Sequence, residues 1–338
     1  MLNIGVIGAG KMGQIHADLI KNNKKLRLVA LCKKRKKMID ILKQKYKVEV
    51  YTDLEEFLKI KEMDYVVIST TNESHENLTK RSMKMGKNVI VEKPMSLDHK
   101  STLKMINASK KYRKKLFVYH NRRWDKDFLI VRQYIDSGIL GNILSIQSRV
   151  LMCSPDWPSW GIDGMKNPWR VKSGGGGILL DWGPHLIDQM LVIMGKNPSQ
   201  IYGFLQNGFW SKEVEDYFFT TLKFSNSLIC HIEVGNNSLI PLPRWYLIGS
   251  KGTLKVKGNS VPIWDEVEVK FKNKSGVFEI QKIRLEGIGE LSGEFYENLL
   301  LHLEGKNKDF VSMYEASNVI NVIDAIKKSS ETNKIIDF

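Results

Sequence analysis

The first part of the chain alternates between short apolar runs and longer stretches with helical periodicity. The apolar runs predict buried strands at residues 2–7, 26–32, 48–51, 65–69, 88–91 and 116–120. Between them, apolar residues three and four positions apart predict helices. Strands and helices that alternate at this spacing are typical of an α/β fold with a parallel, doubly wound sheet.

The second part of the chain has a different pattern, in which strands follow one another with few helices between them. Alternating apolar and polar positions predict strands at 143–151, 200–206, 215–224, 227–234, 244–249, 253–257, 265–272 and 276–283. Their short connections indicate an α+β domain with an open, mostly antiparallel sheet. We therefore predict two domains, 1–120 and 121–338, with the last helix (314–329) able to return to the first. An open sheet face has to be covered, which predicts a homodimer or homotetramer that forms through this sheet.

A glycine turn lies between the first predicted strand and the first predicted helix. Gly8, Gly10 and Gly13 have the spacing G-x-G-x-x-G, with Lys11 and Met12 inside it. Such a turn between a strand and a helix binds the pyrophosphate of a dinucleotide at the helix N-terminus. The alternative is an ordinary turn with glycines, but the strand before and the helix after supply the context that the motif requires.

The end of the second strand bears on the choice of cofactor. Dinucleotide sites that prefer NAD have an acidic residue there, which binds the ribose 2′-hydroxyl. Here Lys33, Lys34 and Arg35 follow the strand instead. Basic groups can bind a 2′-phosphate, so NADP(H) is favoured and NAD(H) stays possible. The alternative is a solvated lysine face.

Polar residues follow two further strands of the predicted parallel sheet. Thr70, Asn72 and His75 come after the fourth strand, at the edge where such sheets bind ligands. Lys93 follows the fifth strand, between Glu92 and Pro94, and its ammonium can donate to a substrate oxygen. A salt bridge with Glu92 or another acid is the alternative for Lys93, and helix capping is the alternative for the residues after the fourth strand.

Residues 155–188 form a second stretch with candidate chemistry. Its first part is a loop with Trp157, Trp160 and Trp169, and it continues with Arg170, the glycine run 174–177, Asp181 and His185. Pro184 suits the first position of a helix, which predicts Gly183 as the cap and His185 in the first turn. A helix N-terminus disfavours a protonated histidine, so His185 is able to accept a proton that Asp181 helps to orient. We expect the glycines to leave room for a ligand. Alternatively, His185 caps the helix, Asp181 pairs with a lysine, and the tryptophans fill a core.

Composition excludes several classes of protein. The 338 residues are 42% hydrophobic, and no apolar run approaches the length that spans a bilayer, so we expect neither a membrane anchor nor a secretory leader. The three cysteines have neither metal nor disulfide spacing, which predicts no metal site and a reducing cytoplasm. The net charge of +15 is spread along the chain without a recognition motif, so nucleic acid is not an expected partner.

Taken together, these motifs resemble the glucose–fructose oxidoreductase, inositol 2-dehydrogenase and MocA (Gfo/Idh/MocA) family over nearly the whole chain. The motifs that carry the resemblance are the glycine turn with His16, Thr70-Thr71-Asn72 with His75, Glu92-Lys93-Pro94, Asn121-Arg122-Arg123-Trp124, Trp169-Arg170, and residues 174–185 ending in D-x-G-x-H. The resemblance implies an N-terminal Rossmann domain and an NAD(P)-dependent oxidoreductase that acts on a secondary hydroxyl of a sugar, sugar derivative or cyclitol.

The resemblance also implies roles for individual residues. Lys93, Asp181 and His185 match the family's catalytic set. Thr70, Asn72, His75, Glu92, Lys93 and Asn121 match positions that line the cofactor. Arg122, Trp160, Trp169, Arg170 and His185 are expected to contact the substrate, whose identity loop 152–172 is expected to determine.

Two departures from the family pattern are Thr71, where proline is common, and Lys33, where members that use NAD often have an acid. The second departure affects the choice of cofactor. Two other functions stay open: a glycoside hydrolase that holds NAD tightly and oxidises its substrate transiently, and a dinucleotide sensor without catalysis.

Overall fold

The computed structural model describes residues 1–34, 38–151, 169–208, 210–225, 228–236, 238–240, 242–258, 266–285, 293–308 and 310–338. These residues divide into two compact units. The first contains residues 1–120 and 293–320, and the second contains the described residues of 121–285 together with 321–338. The predicted domain boundary at residue 120 stays our proposal.

The first unit is built on a parallel sheet of six strands. The strands are β1 Leu2–Ile7, β2 Leu26–Cys32, β3 Glu49–Tyr51, β4 Tyr65–Ile68, β5 Asn88–Val91 and β6 Leu116–Val118. They lie in the order β3-β2-β1-β4-β5-β6, and every neighbouring pair is parallel. The predicted doubly wound fold is confirmed. The order reverses between β1 and β4, which is the place where such sheets bind ligands.

Five helices accompany this sheet in the described residues, and two of them begin at an aspartate that caps the helix. They are α1 Lys11–Asn22, α2 Ile39–Tyr46, α3 Leu54–Leu58, α4 His75–Lys84 and α5 His99–Tyr112. Asp53 caps α3 by accepting a hydrogen bond from the amide of Glu56 at 2.9 Å, and aspartate is a favoured residue at that position. Asp98 caps α5 in the same way through the amide of Ser101. The last predicted strand ends two residues early, at Val118.

The second unit is built on a sheet of nine strands. It contains β7 Ile143–Leu151, β8 Gln200–Gln206, β9 Tyr217–Lys223, β10 Ile229–Gly235, β11 Trp245–Gly249, β12 Gly252–Val256, β13 Glu266–Lys272, β14 Phe278–Arg284 and β15 Ile336–Asp337. The order is β14-β13-β12-β11-β7-β10-β9-β8-β15. Neighbouring strands are antiparallel except β7 and β10, which pair in parallel. The predicted, mostly antiparallel sheet is confirmed, and β15 is an addition to it.

The helices of the second half are α6 Lys126–Asp136, α7 Ile178–Asp181, α8 Gly183–Met194, α9 Glu294–Leu303 and α10 Met313–Thr332. The short helix α7 was not predicted. The predicted cap at Gly183 is wrong by one residue, because α8 begins at Gly183 and Trp182 is its N-cap. Helix α9 and the start of α10, up to Ile320, belong to the first unit, and the rest of α10 belongs to the second.

Burial alternates along the central strands of the nine-stranded sheet. Ile146, Ser148 and Val150 of β7 are buried, whereas the residues between them are half-buried. Helices α7 and α8 pack on β9 and β10. In the described part of the chain, the outward side of the sheet includes Tyr202 and Phe204, which are 39% and 47% exposed. This alternation is typical of a sheet that is covered on one face.

Candidate functional site

The glycine turn after β1 contains glycines of two different kinds. Gly8 has a φ of 93°, and a Cβ on it would overlap the carbonyl oxygen of Ser69. A Cβ on Gly13 would overlap the carbonyl oxygen of Gly8. Gly10 has an ordinary φ of −80°, and a Cβ there would meet no described protein atom within 4 Å. The fold itself therefore requires Gly8 and Gly13, whereas the bare backbone at Gly10 faces open space.

The N-terminus of α1 is suited to an anion. Gly10 is the N-cap and has no side chain with which to cap the helix, and the first turn, which contains Lys11 and Met12, carries no acidic residue. Helix N-termini of this kind bind phosphate groups through backbone N–H groups and the helix dipole. The turn thus fits a dinucleotide pyrophosphate, with Gly10 as the point of close approach.

Lys33 lies directly beside this turn. Its ammonium donates a hydrogen bond to the carbonyl oxygen of Ala9, with Nζ and the oxygen 2.9 Å apart. Its own amide continues the β2–β3 pairing by donating to Tyr51. Lys34 is exposed, and Arg35 lies outside the described residues. One of the three predicted cations is therefore placed at the turn itself.

The loop after β4 is joined to the strand end after β5. His75 is fully buried, with Nδ1 2.9 Å from the Pro94 carbonyl oxygen and Nε2 3.4 Å from that of Thr70. Burial lowers the pKa of His75, so its imidazole is neutral near pH 7. Thr70 bonds Ser74 at 2.6 Å, and Asn72 is buried in a short 3-10 helix. That His75 lines the cofactor stays a prediction, because both of its nitrogens face protein carbonyls.

Glu92 holds the strand end that carries Lys93. Its Oε1 lies 2.9 Å from Nε2 of His16, and its Oε2 accepts the backbone N–H of Lys93 at 3.1 Å. Glu92 is buried, whereas Lys93 is half-buried. No role was predicted for His16 from the sequence, although its place three residues after Gly13, on the buried face of α1, is a usable signal.

A second group of predicted residues surrounds the end of α7. Asp181 is buried, and its Oδ2 lies 3.2 Å from Nε of Arg170. The Arg170 guanidinium lies over the ring of Trp169, 4.7 Å from its centroid. Among the described contacts, Asp181 thus pairs with an arginine. Arg170, which we predicted to bind substrate, directs its cation at this carboxylate.

His185 is in the first turn of α8, as predicted. It is 7% exposed, and its ring meets that of Trp182 edge-on, with centroids 5.9 Å apart. Trp182 also contacts Arg122, whose guanidinium lies 4.6 Å from the ring centroid and donates to Asp125 at 2.8 Å. Burial raises the pKa of Asp125 to about 6, against the opposing effect of Arg122.

Buried polar contacts anchor the helix that carries His185. Asp188 accepts two hydrogen bonds from Arg123, at 2.8 and 2.6 Å. Gln189 donates to the carbonyl oxygen of Arg122 at 2.8 Å and accepts from the fully buried Arg244 at 2.6 Å. These contacts join α8 to the short 3-10 helix Asn121–Trp124, in which Asn121 is buried. Asp188, Gln189 and Arg244 were not predicted from the sequence, because nothing local marks a buried pairing between distant residues.

The glycine run 174–177 does not provide the expected room for a ligand at its last two positions. Gly174, Gly175 and Gly177 have positive φ values of 86°, 136° and 98°. A Cβ on Gly176 would lie 2.5 Å from three protein carbonyl oxygens, and one on Gly177 would overlap the carboxylate of Glu215. Protein atoms fill the space there, so backbone conformation and internal packing account for these glycines.

Several predicted residues lie outside the described part of the chain. They are Arg35, Trp157, Trp160 and positions 152–168 of the loop expected to determine the substrate. Among the residues that the structure describes, no group of three or more His, Cys, Asp or Glu side chains could hold a metal ion. Within the same residues, no helix has the length and apolar character needed to cross a membrane.

Comparison with protein families gives two matches along the chain. Residues 2–120 match the model described as "Oxidoreductase family, NAD-binding Rossmann fold", and residues 128–255 match the GFO/IDH/MocA C-terminal domain. A solved NAD-binding protein from Listeria innocua is 28% identical, with a TM-score of 0.85 and coverage of 99% of this chain and 96% of that one.

Two curated relatives differ in the substrate that their names give. The scyllo-inositol 2-dehydrogenase (NADP(+)) IolW of Bacillus subtilis (strain 168) is 24% identical over 99% of this chain and 95% of its own. The D-glucoside 3-dehydrogenase of Escherichia coli (strain K12) is 28% identical over 69% of each chain. The match covers only 36% to 57% of the length of three other curated relatives.

Proposed function

Because the chain belongs to the Gfo/Idh/MocA oxidoreductase family, we propose that it transfers a hydride between NAD(P) and a secondary hydroxyl or ketone carbon of a sugar, sugar derivative or cyclitol. The observation that carries the proposal is the open face of Gly10. Its neighbours Gly8 and Gly13 are fixed by the fold, whereas the bare backbone at Gly10 serves close approach of a ligand at a helix N-terminus.

In the proposed reaction, Lys93, Asp181 and His185 act on the carbon that is oxidised. The nicotinamide ring, when bound, supplies the acceptor or donor of the hydride. The His185 imidazole takes the proton of the substrate hydroxyl as general base, and the Lys93 ammonium stabilises the developing alkoxide. Asp181 orients the site, and its ion pair with Arg170 fixes the position of its carboxylate. In the reverse direction the same groups return the proton to a ketone.

We assign NADP(H) as the favoured cofactor on the strength of Lys33. Its ammonium lies at the glycine turn, on the carbonyl of Ala9, where an NAD site would have an acidic residue after β2. A 2′-phosphate would give this cation a stronger acceptor than a neutral carbonyl. The NADP(+) in the name of the full-length relative IolW agrees with this choice.

The substrate class rests on the names of the relatives and on the groups beside His185. The names specify a cyclitol in one case and a glucoside in the other, both of which carry ring hydroxyls. Trp169 and Trp182 each have an arginine over one ring face. We propose that Arg122, Trp160, Trp169, Arg170 and loop 152–172 determine which ring is accepted.

The first experiment is a parallel titration of purified protein with NADH and NADPH, followed by nicotinamide fluorescence. The protein is checked beforehand for cofactor carried through purification. Binding of NADPH, followed by reduction of NADP⁺ with a polyol from a panel of inositols and glucosides, is the expected result. Binding of neither dinucleotide by cofactor-free protein would contradict the proposal. A retained cofactor that never exchanges would indicate the hydrolase instead.

The catalytic assignment is tested with variants once a substrate is found. Removal of a general base lowers the rate by roughly 10²- to 10⁴-fold, so His185→Ala should reduce turnover by that order. Lys93→Ala should also reduce turnover strongly while the protein still folds, because Lys93 is half-buried. Near wild-type turnover in both variants would refute the assignment.

We further propose that the chain forms a homodimer or homotetramer through the outward face of its nine-stranded sheet. Three large apolar side chains on strands of this sheet are partly exposed, namely Tyr202 at 39%, Phe204 at 47% and Ile229 at 40%. Aromatic and aliphatic side chains on a sheet face are typical of an interface. Size-exclusion chromatography with light scattering should give a dimer or tetramer, and a monomer at micromolar concentration would exclude this proposal.

A reducing cytoplasm remains our proposal for where the chain works. Cys32 and Cys230 are free thiols, and both are buried in their strands. Burial raises the pKa of Cys32 to about 11 and that of Cys230 to about 12, so both stay protonated. Protonated, buried thiols are inert core residues and are compatible with a reducing compartment.

A further inference from the structure

A buried chain of hydrogen bonds runs from helix α9 to the strand end that carries Lys93. Tyr296 Oη lies 2.7 Å from Nδ1 of His16, and Nε2 of His16 lies 2.9 Å from Oε1 of Glu92. The other oxygen of Glu92 accepts the backbone N–H of Lys93 at 3.1 Å. His16 and Tyr296 are fully buried and Glu92 is 6% exposed. This series of hydrogen bonds therefore ends on the backbone of Lys93, the residue proposed to stabilise the alkoxide.

The hydrogen bonds in this series fit together when the imidazole is neutral and the carboxylate is ionised. A carboxylate only accepts hydrogen bonds, so Nε2 of His16 carries the proton that it donates to Glu92. In a neutral imidazole Nδ1 then accepts, and the Tyr296 hydroxyl donates to it. Burial raises the pKa of Tyr296 well above its usual value, so the hydroxyl keeps its proton. Every donor in the chain thus has an acceptor, and both oxygens of Glu92 are engaged.

This series of hydrogen bonds also joins parts of the fold that are proposed to bind the cofactor. His16 is on α1, three residues after Gly13, so it belongs to the helix that begins at the glycine turn. Its ring packs edge-on against Tyr119, with centroids 4.3 Å apart, and against Tyr296 at 5.9 Å. The two aromatic rings pack against the imidazole in addition to its hydrogen bonds. The Glu92 carboxylate is thus bonded to the helix whose N-terminus would bind the pyrophosphate.

We propose that His16 and Tyr296 are positioning residues for Lys93. By holding the Glu92 carboxylate they fix the backbone at Lys93, and with it the direction in which the ammonium group leaves the strand. His75 holds the other side, since its Nδ1 bonds the carbonyl of Pro94. Catalytic groups must be held to within about 0.5 Å of their productive geometry. The inference rests on the proposed function, in which Lys93 acts on the substrate oxygen.

The first test compares variants by their kinetic constants. Tyr296→Phe removes only the hydroxyl, and we expect kcat to fall about tenfold, as for other supporting hydrogen bonds. The Kd of NADPH, measured by fluorescence, should stay within about twofold, because ground-state binding is not the affected step. His16→Leu should lower kcat about 100-fold. His16→Gln should rescue much of this loss, because a glutamine amide can donate to Glu92 and accept from Tyr296.

Matched controls separate this role from general packing. Tyr46→Phe removes another buried hydroxyl that bonds α1, through the carbonyl of Gln14 at 3.1 Å, but it does not contact Glu92. Tyr119 packs its ring on the same histidine, and its hydroxyl, which Tyr119→Phe removes, makes no hydrogen bond within the described part of the chain. Both variants should keep wild-type kcat.

A second measurement needs no substrate. Competitive labelling of lysines with acetic anhydride, resolved by mass spectrometry, reports the reactivity of Lys93 in the cofactor-free protein. We expect this reactivity to change in Tyr296→Phe and His16→Leu and to stay constant in Tyr46→Phe and Tyr119→Phe. Wild-type kcat and labelling in both Tyr296→Phe and His16→Leu would overturn the inference. An equal change of labelling in Tyr46→Phe would overturn it as well.

The same measurement separates this inference from the proposed function. If the wild-type protein oxidises no polyol but Lys93 labelling still changes in Tyr296→Phe and not in the controls, the proposed function fails and the positioning of Lys93 stands. If the wild-type protein is active and the variants match it in both measurements, the positioning role fails and the proposed function stands.

Discussion

The two glycine-rich turns of this chain look alike in sequence and differ in what surrounds them. In the turn 8–13, the middle glycine faces open space on an ordinary backbone conformation. In the turn 174–177, Gly176 lies against three carbonyl oxygens and Gly177 against the carboxylate of Glu215. No described atom occupies the space beside Gly10, whereas protein atoms occupy the space beside Gly176 and Gly177.

The difference shows that a glycine is evidence for a ligand only when the fold does not need it. Gly8, Gly13, Gly176 and Gly177 are each explained by a positive φ or by an atom that a Cβ would overlap. Only Gly10 lacks such an explanation among these five. Mutating the two kinds of glycine should therefore damage different properties, namely stability in one case and cofactor affinity in the other.

The largest effect is expected for Gly177→Ala. Its φ of 98° and ψ of 149° are accessible essentially to glycine alone, and the new Cβ would overlap Glu215. We expect the free energy of unfolding to fall by about 4 kcal/mol, from backbone strain and overpacking together. Unfolding in urea measures this loss of free energy. In the control Gly195→Ala, φ is also positive at 61° but no described atom lies within 4 Å, so the loss should be about 1 kcal/mol. Equal losses of stability in the two variants would contradict the expected clash between the new Cβ and Glu215.

Gly10→Ala should have the opposite effect on the two properties. The conformation of Gly10 suits alanine, so stability should stay the same or rise by about 0.5 kcal/mol. The added methyl group blocks close approach, and a clash of about 2–3 kcal/mol corresponds to an affinity for NADPH about 100-fold weaker. Gly293, the N-cap of α9, also has a negative φ, and a Cβ on it would meet no described atom within 4 Å. Gly293→Ala should leave affinity unchanged, and undiminished affinity in Gly10→Ala would argue against a dinucleotide at this turn.

Lys33→Met should change the choice of cofactor at the first turn. Loss of a charged hydrogen-bond donor to a phosphate weakens binding by about tenfold, so NADPH affinity should fall by that amount. NADH has no 2′-phosphate and its affinity should change little. The control is Lys34→Met at the exposed neighbouring residue, which should lower the affinity for NADPH by less. Parallel losses for NADH and NADPH would mean that Lys33 serves only the Ala9 carbonyl.

The smallest effect concerns the carboxylate that fills the second turn. Burial raises the pKa of Glu215 above its ordinary value, so the folded state binds its proton more tightly than the unfolded state does. Stability from this group is therefore present at acid pH and is lost as pH rises through the interval between the two pKa values. In Glu215→Gln this loss should disappear, and the variant should gain stability relative to the wild type between pH 4 and pH 7.

Glu213 supplies the opposite control, because hydrogen bonding to Lys172 lowers its pKa. Its contribution to stability is present above its ordinary pKa and is lost as pH falls, so Glu213→Gln should lose stability relative to the wild type as pH rises from 4 to 7. Unfolding curves over that range distinguish the two variants by sign. The same sign for both would refute the burial argument for Glu215.

What the sequence could predict follows from how local each signal is. The strand–turn–helix at the N-terminus is recognisable because its apolar run, glycines and helical pattern lie within about twenty residues. The sheet of the second unit was predicted from alternation, yet the parallel pairing of β7 and β10 was not. Strand neighbours far apart in sequence leave no local mark. The short helix α7 was missed because one turn is too brief for a periodic pattern.

The candidate site shows the same limit at the level of side chains. Lys93, Asp181 and His185 could be named from motifs, but their supporting contacts could not. His16 and Tyr296 are 280 positions apart in sequence, and Arg244 reaches Gln189 across 55 positions. The room expected at Gly177 was misjudged for the same reason, since Glu215 occupies it from a distant segment, whereas backbone carbonyls of the preceding turn occupy the space at Gly176.

The last residues of the chain have a consequence for how the molecule is made. Residues 293–320 complete the first unit, and residues 321–338, with β15 as the final strand of the nine-stranded sheet, complete the second. During synthesis, the first unit can therefore be completed only after residues 293–320 have emerged, and the second only after residues 321–338 have emerged. Domains generally fold as units, and unpaired strand edges on incomplete ones are prone to aggregate. Loss of the final residues should impair yield and folding, even though the predicted catalytic residues all precede them.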